Sequence, residues 1–290
     1  MPWVLLAYLA ATAGAVIDAL MLGAPGDAYD MSLVGYFASV LWIFAFSALF
    51  KNSSIFDPFW SVAPPMLLGW WTWNLPEGDR TRQALLLACT CIWAARLTWN
   101  WARGFEGIKH EDWRYRQLQE QTGGFYWIVS LVGIHYFPAV LVWIGCIPAY
   151  RALGSAVPLN PLDAVATLVC LGATAIEAVA DNQLREHRKA KTGQPIRSGL
   201  WAYSRHPNYL GEVGFWVGVF LFGLAGGLAN LWTVVAPLTL YALFRFVSIP
   251  LMERRQSGKP GYESYQKEVP ILLPWPGRRS RSDSDPQPGS

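Results

Sequence analysis

Apolar runs long enough to cross a bilayer recur along this chain, and no other feature restricts its fold so strongly. A hydrocarbon core about 30 Å thick needs roughly 20 apolar residues of helix, and only helices and closed barrels satisfy every backbone polar group at that depth. Between polar breaks the runs fall over about 3–22, 33–50, 57–74, 83–103, 125–150, 160–181, 209–229 and 231–251. The weakest is 57–74, where Pro58, Pro64 and Pro65 predict a kinked helix of the kind that lines cavities. The first run lacks the basic start of a signal peptide and is read as a helix. Composition agrees: 53% of the 290 residues are hydrophobic and 15% charged, against about 25% charged in a soluble domain.

Charge placement gives an orientation. Of the 23 Lys and Arg residues, 18 fall on one side of the eight-helix arrangement; Arg80, Arg82 and Arg151 fall on the other. The positive-inside bias makes the rich side cytoplasmic, with both termini there. The 16 Trp residues suit the membrane boundary, and Trp70, Trp71 and Trp73 are read as an interfacial belt. Cys89, Cys91, Cys146 and Cys170 lie in apolar runs at spacings that match no disulfide or zinc framework, and are read as small buried residues. No metal is expected. Residues 277–290, rich in Ser, Arg, Asp, Pro and Gly, read as a disordered tail.

Polar chemistry gathers in three segments of the cytoplasmic side: Arg103–Arg116, Glu177–Glu212 and Glu253–Tyr265. In the second, Glu177, Asp181, Arg185 and Arg188 share one helix face at spacings of four, four and three. They form either an i,i+4 salt-bridge ladder or the polar wall of a cavity; a carboxylate near membrane depth needs a partner or a function. The loop that follows contains Trp201, Tyr203, Ser204, Arg205, His206, Pro207, Asn208 and Tyr209, then Gly211 and Glu212. Arg205 and His206 are donors suited to phosphate, and Asn208 offers both a donor and an acceptor. Gly211, Gly214 and Gly218 allow close helix packing without any ligand.

These motifs resemble the membrane reductase superfamily that includes steroid 5α-reductases and sterol C14- and C7-reductases. Within it they are most similar to the DUF1295 branch of the steroid 5α-reductase C-terminal domain group. The resemblance rests on Asp57-Pro-Phe-Trp-Ser-Val-Ala-Pro64, Glu111-Asp112-Trp113-Arg114-Tyr115, Glu177-Ala-Val-Ala-Asp181-Asn-Gln183-Leu184 and the Arg205-His206-Pro-Asn208-Tyr209-Leu-Gly211-Glu212 loop. It covers about 40–276, so that 1–32 reads as an extra N-terminal transmembrane helix and 33–276 as the reductase-like domain. The expected fold is an all-α membrane protein, a bundle of seven to eight transmembrane helices with a cytoplasm-facing cofactor cavity.

The resemblance implies NADPH-dependent reduction of a carbon–carbon double bond in a lipid (an enone steroid, a sterol or an isoprenoid) drawn from the bilayer. NADPH would be held without a Rossmann fold, and the chain has no Gly-x-Gly-x-x-Gly after a strand. By resemblance Asp181, Arg185, Arg188, Asn208 and Glu212 match cofactor positions, Arg96 and Arg103 match arginines of the preceding helix, and Glu253, Tyr262 and Tyr265 fall in a segment that closes over the nucleotide. Asp112, Trp113, Arg114, Tyr115, Trp201, Tyr203, Ser204, Arg205, His206 and Tyr209 complete the expected cofactor set. Arg205→Ala is expected to weaken NADPH binding without unfolding the bundle. Steroid 5α-reductases carry a tyrosine three residues before the helix-four arginine, where this chain has Trp93; an indole N–H donates a hydrogen bond but is no acid near neutral pH.

Reduction needs a proton source and a group that stabilises the developing oxyanion. Asp57, Tyr115, His135 and Tyr136 are the catalytic candidates. Asp57 has a helix cap as its structural alternative and His135 an interhelical hydrogen bond, while Tyr115, like Tyr203, has stacking on the nicotinamide or adenine as its other reading. Two other functions fit the loop. One is an S-adenosylmethionine-dependent membrane methyltransferase of the isoprenylcysteine carboxyl type, which shares an Arg-His-Pro-x-Tyr-x-Gly loop. The other is a non-enzymatic lipid or nucleotide binder. The expected setting is a bacterial inner membrane or the endoplasmic reticulum, with the site facing the cytoplasm.

Overall fold

The computed structural model describes residues 1–22 and 28–273, and the tail expected at 277–290 lies outside them. The described residues are helical with no strand: α1 Pro2–Leu22, α2 Ala28–Leu49, α3 Phe59–Asn74, α4 Arg80–Gly104, α5 Trp113–Thr122, α6 Tyr126–Val129, α7 Phe137–Leu153, α8 Pro161–Lys189, α9 Pro207–Ala225, α10 Val235–Leu243, α11 Ile249–Gln256 and α12 Tyr262–Glu268. A π-helical turn, Ser130–Tyr136, joins α6 to α7, and another, Phe244–Ser248, joins α10 to α11.

Among the described residues, six helical stretches are long and apolar enough to cross a membrane: Pro2–Met21, Ala28–Leu49, Trp113–Leu153, Pro161–Lys189, Pro207–Ala225 and Leu228–Gln256. The other two expected runs are helical but fail on length or polarity. α3 has only 16 residues, about 24 Å of helix. α4 carries Arg80, Arg82, Arg96 and Arg103 in its sequence. Pro64 and Pro65 both lie inside α3. Side-chain caps set several starts: Asp79 accepts from the N–H of Thr81 and Arg82 to open α4, and Asp112 accepts from Arg114 N–H to open α5.

The described residues divide into two compact units, one within 1–171 and 216–240 and the other within 172–215 and 241–290. In the first, α1 lies against α2, where a Cβ on Gly35 would stand 3.3 Å from Ala15 O and 3.4 Å from the Ala19 Cβ. Trp71 is fully buried, donates from Nε1 to Ser32 Oγ at 2.9 Å and packs edge-on to Trp143 and Tyr150. It is therefore core, and of the three tryptophans only Trp73, 84% exposed, and the half-exposed Trp70 suit an interfacial belt.

Arg82, assigned by the sequence to a polar connector, is fully buried. Its Nε and Nη2 donate to the two oxygens of Asp163 at 2.7 and 2.8 Å, and its Nη1 donates to Val157 O at 2.7 Å. Removing a bidentate ion pair from water is compensated only when the remaining donors are also satisfied, as here. Cys89, Cys146 and Cys170 are buried as expected, whereas Cys91 is exposed.

The second unit is built on the C-terminal half of α8. Gly211 and Gly214 bring the start of α9 onto it: a Cβ on Gly211 would meet Ala173 O at 2.7 Å, and one on Gly214 would meet the Ala173 Cβ at 3.1 Å. The loop after α8 folds back on the same helix. Trp201 Nε1 donates to Ala180 O at 3.0 Å, and Leu200 N–H donates to Gln183 Oε1 at 3.0 Å. Gly199, at φ +62, supplies the left-handed residue that this reversal needs, and a side chain there would run into Gln183.

Candidate functional site

In the first unit, two motifs that are distant in sequence meet. Asn52 Nδ2 donates to Ile108 O at 2.7 Å and His110 O at 3.0 Å, and Asp112 N–H donates to Ser54 Oγ at 2.8 Å. The buried Glu111 accepts from Ser53 N–H at 2.8 Å and from Gln119 Nε2 at 3.0 Å. This stitching sets the turn before α3 against the start of α5. Tyr115 OH donates to Asp57 Oδ1 at 2.6 Å across 58 residues of sequence.

Asp57 does not cap α3, whose N-cap is Pro58 with no side-chain bond; its carboxylate is committed to Tyr115. Burial pushes the Asp57 carboxyl up to about 6, opposed by the Arg114 charge and the Tyr115 hydrogen bond. Such a carboxyl carries a proton at pH values where an ordinary aspartate has lost it. Arg114 pairs with Asp112 at 2.8 Å and lies 5.4 Å over the Tyr115 ring. Trp113 is half-buried at the head of α5.

The other catalytic candidates are differently placed. His135 is fully buried in the π-helical turn, with Nδ1 at 2.9 Å from Ser130 O, Nε2 at 3.2 Å from Ser47 Oγ, and Phe44 and Phe56 against the ring. Both nitrogens are occupied, as in the interhelical-bond reading. Tyr136 stacks on Phe37, and its OH donates to Phe37 O at 3.4 Å. Trp93, which stands where steroid 5α-reductases have tyrosine, is buried edge-on against Trp216 at 5.4 Å. Arg96 is half-buried on α4, and Arg103 donates to Asn100 Oδ1 at 3.1 Å near its exposed end.

In the second unit, the polar residues of the loop before α9 and of the helices around it part into two groups. The first is consumed by the fold. Arg205 is 8% exposed; its Nε donates to Glu253 Oε1 at 2.7 Å, and its Nη1 donates to Gln266 O at 2.8 Å and Val269 O at 2.7 Å. His206 Nε2 lies 3.3 Å from the same Glu253 oxygen. Ser204 Oγ donates to Ile271 O at 3.3 Å, and Tyr265 OH donates to Trp201 O at 2.7 Å. Tyr262 and Tyr265 are buried, and burial pushes the Tyr262 phenol up to about 12. Arg205 is thus a clamp joining the loop to α11 and to the carbonyls at the end of α12, which corrects the expectation that Arg205→Ala would leave the bundle intact. Tyr203, by contrast, is 54% exposed.

The second group faces outward and is cationic. Arg188, on the last turn of α8, lies within electrostatic reach of Asp181, Arg255, Arg185 and Tyr209. Partial burial, then Arg188 and Arg255, hold the Lys259 ammonium below its usual value. Arg188 thus lies within electrostatic reach of Arg185, Arg255 and Lys259, and Lys259 within reach of Arg255 as well. Beside them Asn208 Nδ2 donates to Asp181 Oδ1 at 3.4 Å, while Asn208 Oδ1 is buried with no hydrogen-bond partner among the described residues. Tyr209 stacks between His206, at 5.4 Å, and Phe244, at 4.7 Å. Glu212 is half-buried one turn into α9. Arg255 and Lys259 are absent from the expected cofactor set, although both lie in the polar segment Glu253–Tyr265. Among the described residues no cluster of His, Cys, Asp and Glu could hold a metal ion.

Comparison with known proteins adds a family. No solved structure matches the chain. "Uncharacterized protein C594.04c" of Schizosaccharomyces pombe is 28% identical over 264 residues, covering 81% of this chain and 76% of its own length. The model of the family described as "Protein of unknown function (DUF1295)" matches residues 41–269, a stretch that contains the Asp57–Tyr115 pair, the Arg205 clamp and the cationic cluster. With most of its length matched, the chain belongs to the DUF1295 family.

Proposed function

We propose that this protein is an NADPH-dependent reductase of a carbon–carbon double bond in a membrane lipid. The observation that carries the reading is the crowding of Arg185, Arg188, Arg255 and Lys259 beside Asp181 and Asn208. Four cations drawn together repel one another, and a polyanion relieves that repulsion. NADPH, with its diphosphate and 2′-phosphate, is such a ligand. S-adenosylmethionine has no phosphate and bears a sulfonium cation, so the cluster disfavours it. The unpartnered Asn208 Oδ1 fits as well, since a buried acceptor without a donor is costly and a nucleotide hydroxyl or amide can supply one.

When bound, NADPH supplies a hydride to one carbon of the double bond. The chain's own residues must then supply a proton to the other carbon. Within the first unit Asp57 is suited to hold a proton, because a carboxyl that titrates at about 6 is still partly protonated near neutrality. Tyr115, donating to Oδ1, orients the carboxyl and stabilises its ionised form once the proton has left.

The test is a thermal shift of the protein purified in mild detergent, with NADPH, NADH and S-adenosylmethionine added separately. A ligand at 100 times its Kd adds about 2.7 kcal/mol to the native state. NADPH is expected to raise the midpoint, NADH to raise it less, and Arg188→Ala to abolish the difference between them. Stabilisation by S-adenosylmethionine alone would replace this reading with a methyltransferase. A flat response to all three would leave a non-enzymatic membrane protein.

A further inference from the structure

A cleft of about 260 Å³ runs between α1, α2 and α3 in the first unit. Its walls take residues 8–20 of α1, 31–43 of α2 and 59–70 of α3. At 1.5 Å per residue that is a length of about 18 Å. Two of the three helices are membrane-spanning by length and composition, so the cleft lies at membrane depth. Much of α1 and α2 precedes the part of the chain that matches the family, which begins at residue 41.

Among the described residues no charged side chain lines the cleft. Its hydroxyls are already used: Tyr8 donates to Ile55 O, Thr12 to Tyr8 O, Ser32 to Tyr29 O, Tyr36 to Ala139 O and Ser39 to Tyr36 O. The walls therefore make no polar demand on an occupant. One side is open, where Val16, Leu20 and Met66 on its rim are about half exposed or more. The far end is not inert. Tyr8 and Phe59 line it there: the Tyr8 hydroxyl donates to Ile55 O at 3.1 Å, and Phe59 follows Asp57 by two residues.

We infer that this cleft binds one extended apolar chain of a bilayer lipid, entering from the side and directed toward Asp57. A volume of about 260 Å³ spread over about 18 Å is a long, narrow slot, which suits an extended acyl or isoprenoid chain better than a fused ring system. That this chain belongs to the substrate rests on the reductase reading; that a chain binds does not.

The probe is cis-parinaric acid, a conjugated fatty acid that fluoresces in apolar sites. It is titrated into the protein held in digitonin, a detergent with no alkyl chain to fill the slot. Saturable binding is expected to wild type and to Leu9→Phe, which alters the exposed face of α1. Ser39→Phe and Val62→Phe, on two different walls, are expected to weaken it at least tenfold at an unchanged thermal midpoint. On wild type, geranylgeraniol is expected to displace the probe and progesterone to leave it bound. Binding that does not saturate, equal binding by all four proteins, or displacement by progesterone would each overturn the inference. The displacement arm needs no mutant, so it decides the matter even if a wall variant misfolds. Because the assay contains no nucleotide, failure of NADPH binding beside success here would remove the reductase reading and leave the lipid slot standing.

Discussion

Arg205→Ala separates a residue that holds the protein together from one that holds a ligand. Arg205 is 8% exposed and places one donor on Glu253 and two on the carbonyls of Gln266 and Val269. Truncation takes the charged partner from the Glu253 carboxylate and strands two helix-end carbonyls. Losing one partner of a buried ion pair costs about 3–5 kcal/mol. Glu253 keeps His206 at 3.3 Å and Gln266 Nε2 at 3.2 Å, so the lower end, about 3 kcal/mol, is expected. That is a shift of more than 100-fold in the unfolding equilibrium. The assay is an SDS titration in mild detergent followed by tryptophan fluorescence, with Arg188→Ala as the exposed control, expected to stay within about 0.5 kcal/mol of wild type. If Arg205→Ala also stays within about 0.5 kcal/mol while losing NADPH affinity, the clamp is wrong and Arg205 is a ligand residue.

Three further outcomes are expected. Asp57 binds its proton more readily folded than unfolded, so stability should fall as pH rises from the ordinary aspartate value through about 6 and then level off; unfolding midpoints across that range should show the slope in wild type and lose it in Asp57→Asn. Arg114→Ala removes the charge that holds Asp57 down, so the same slope should extend to higher pH. Arg82→Ala, which leaves Asp163 buried without its bidentate partner, should cost about 3–5 kcal/mol in the same SDS titration, and a loss under about 1 kcal/mol would show the pair to be dispensable.

The all-helical membrane fold was legible because spanning helices leave a long unbroken apolar record, and each of the eight runs is helical in the structure. Which runs are lipid-compatible was less legible: α4 buries Arg82, which the sequence assigns to a polar connector, because Asp163, 81 residues away, neutralises it. Site motifs were readable as motifs, yet their roles were not. Arg205 carries the donors a phosphate wants, and so does any clamp for helix-end carbonyls; only the position of Gln266 and Val269 decides between them. Asp57 and Tyr115 were singled out separately, and nothing in their spacing pairs them. Arg255 and Lys259 were missed for the same reason, since a cation gains meaning only from the other cations folded beside it.

The π-helical turn at Ser130–Tyr136 sets the phase of everything that follows it. An α-helix advances about 100° per residue, so one residue more or less in the turn rotates α7 by about that angle relative to α6. With the present count, Tyr126 is buried on one side of the turn while Ala139, Val142, Trp143, Cys146 and Ala149 are buried on the other. Deleting a single residue here would restore an ordinary α-helix and, in doing so, swing that stripe about a quarter-turn out of the core. A change that perfects the local hydrogen bonding would thus unseat a whole helix, and the irregular turn serves as the indexing mark by which α7 finds its face.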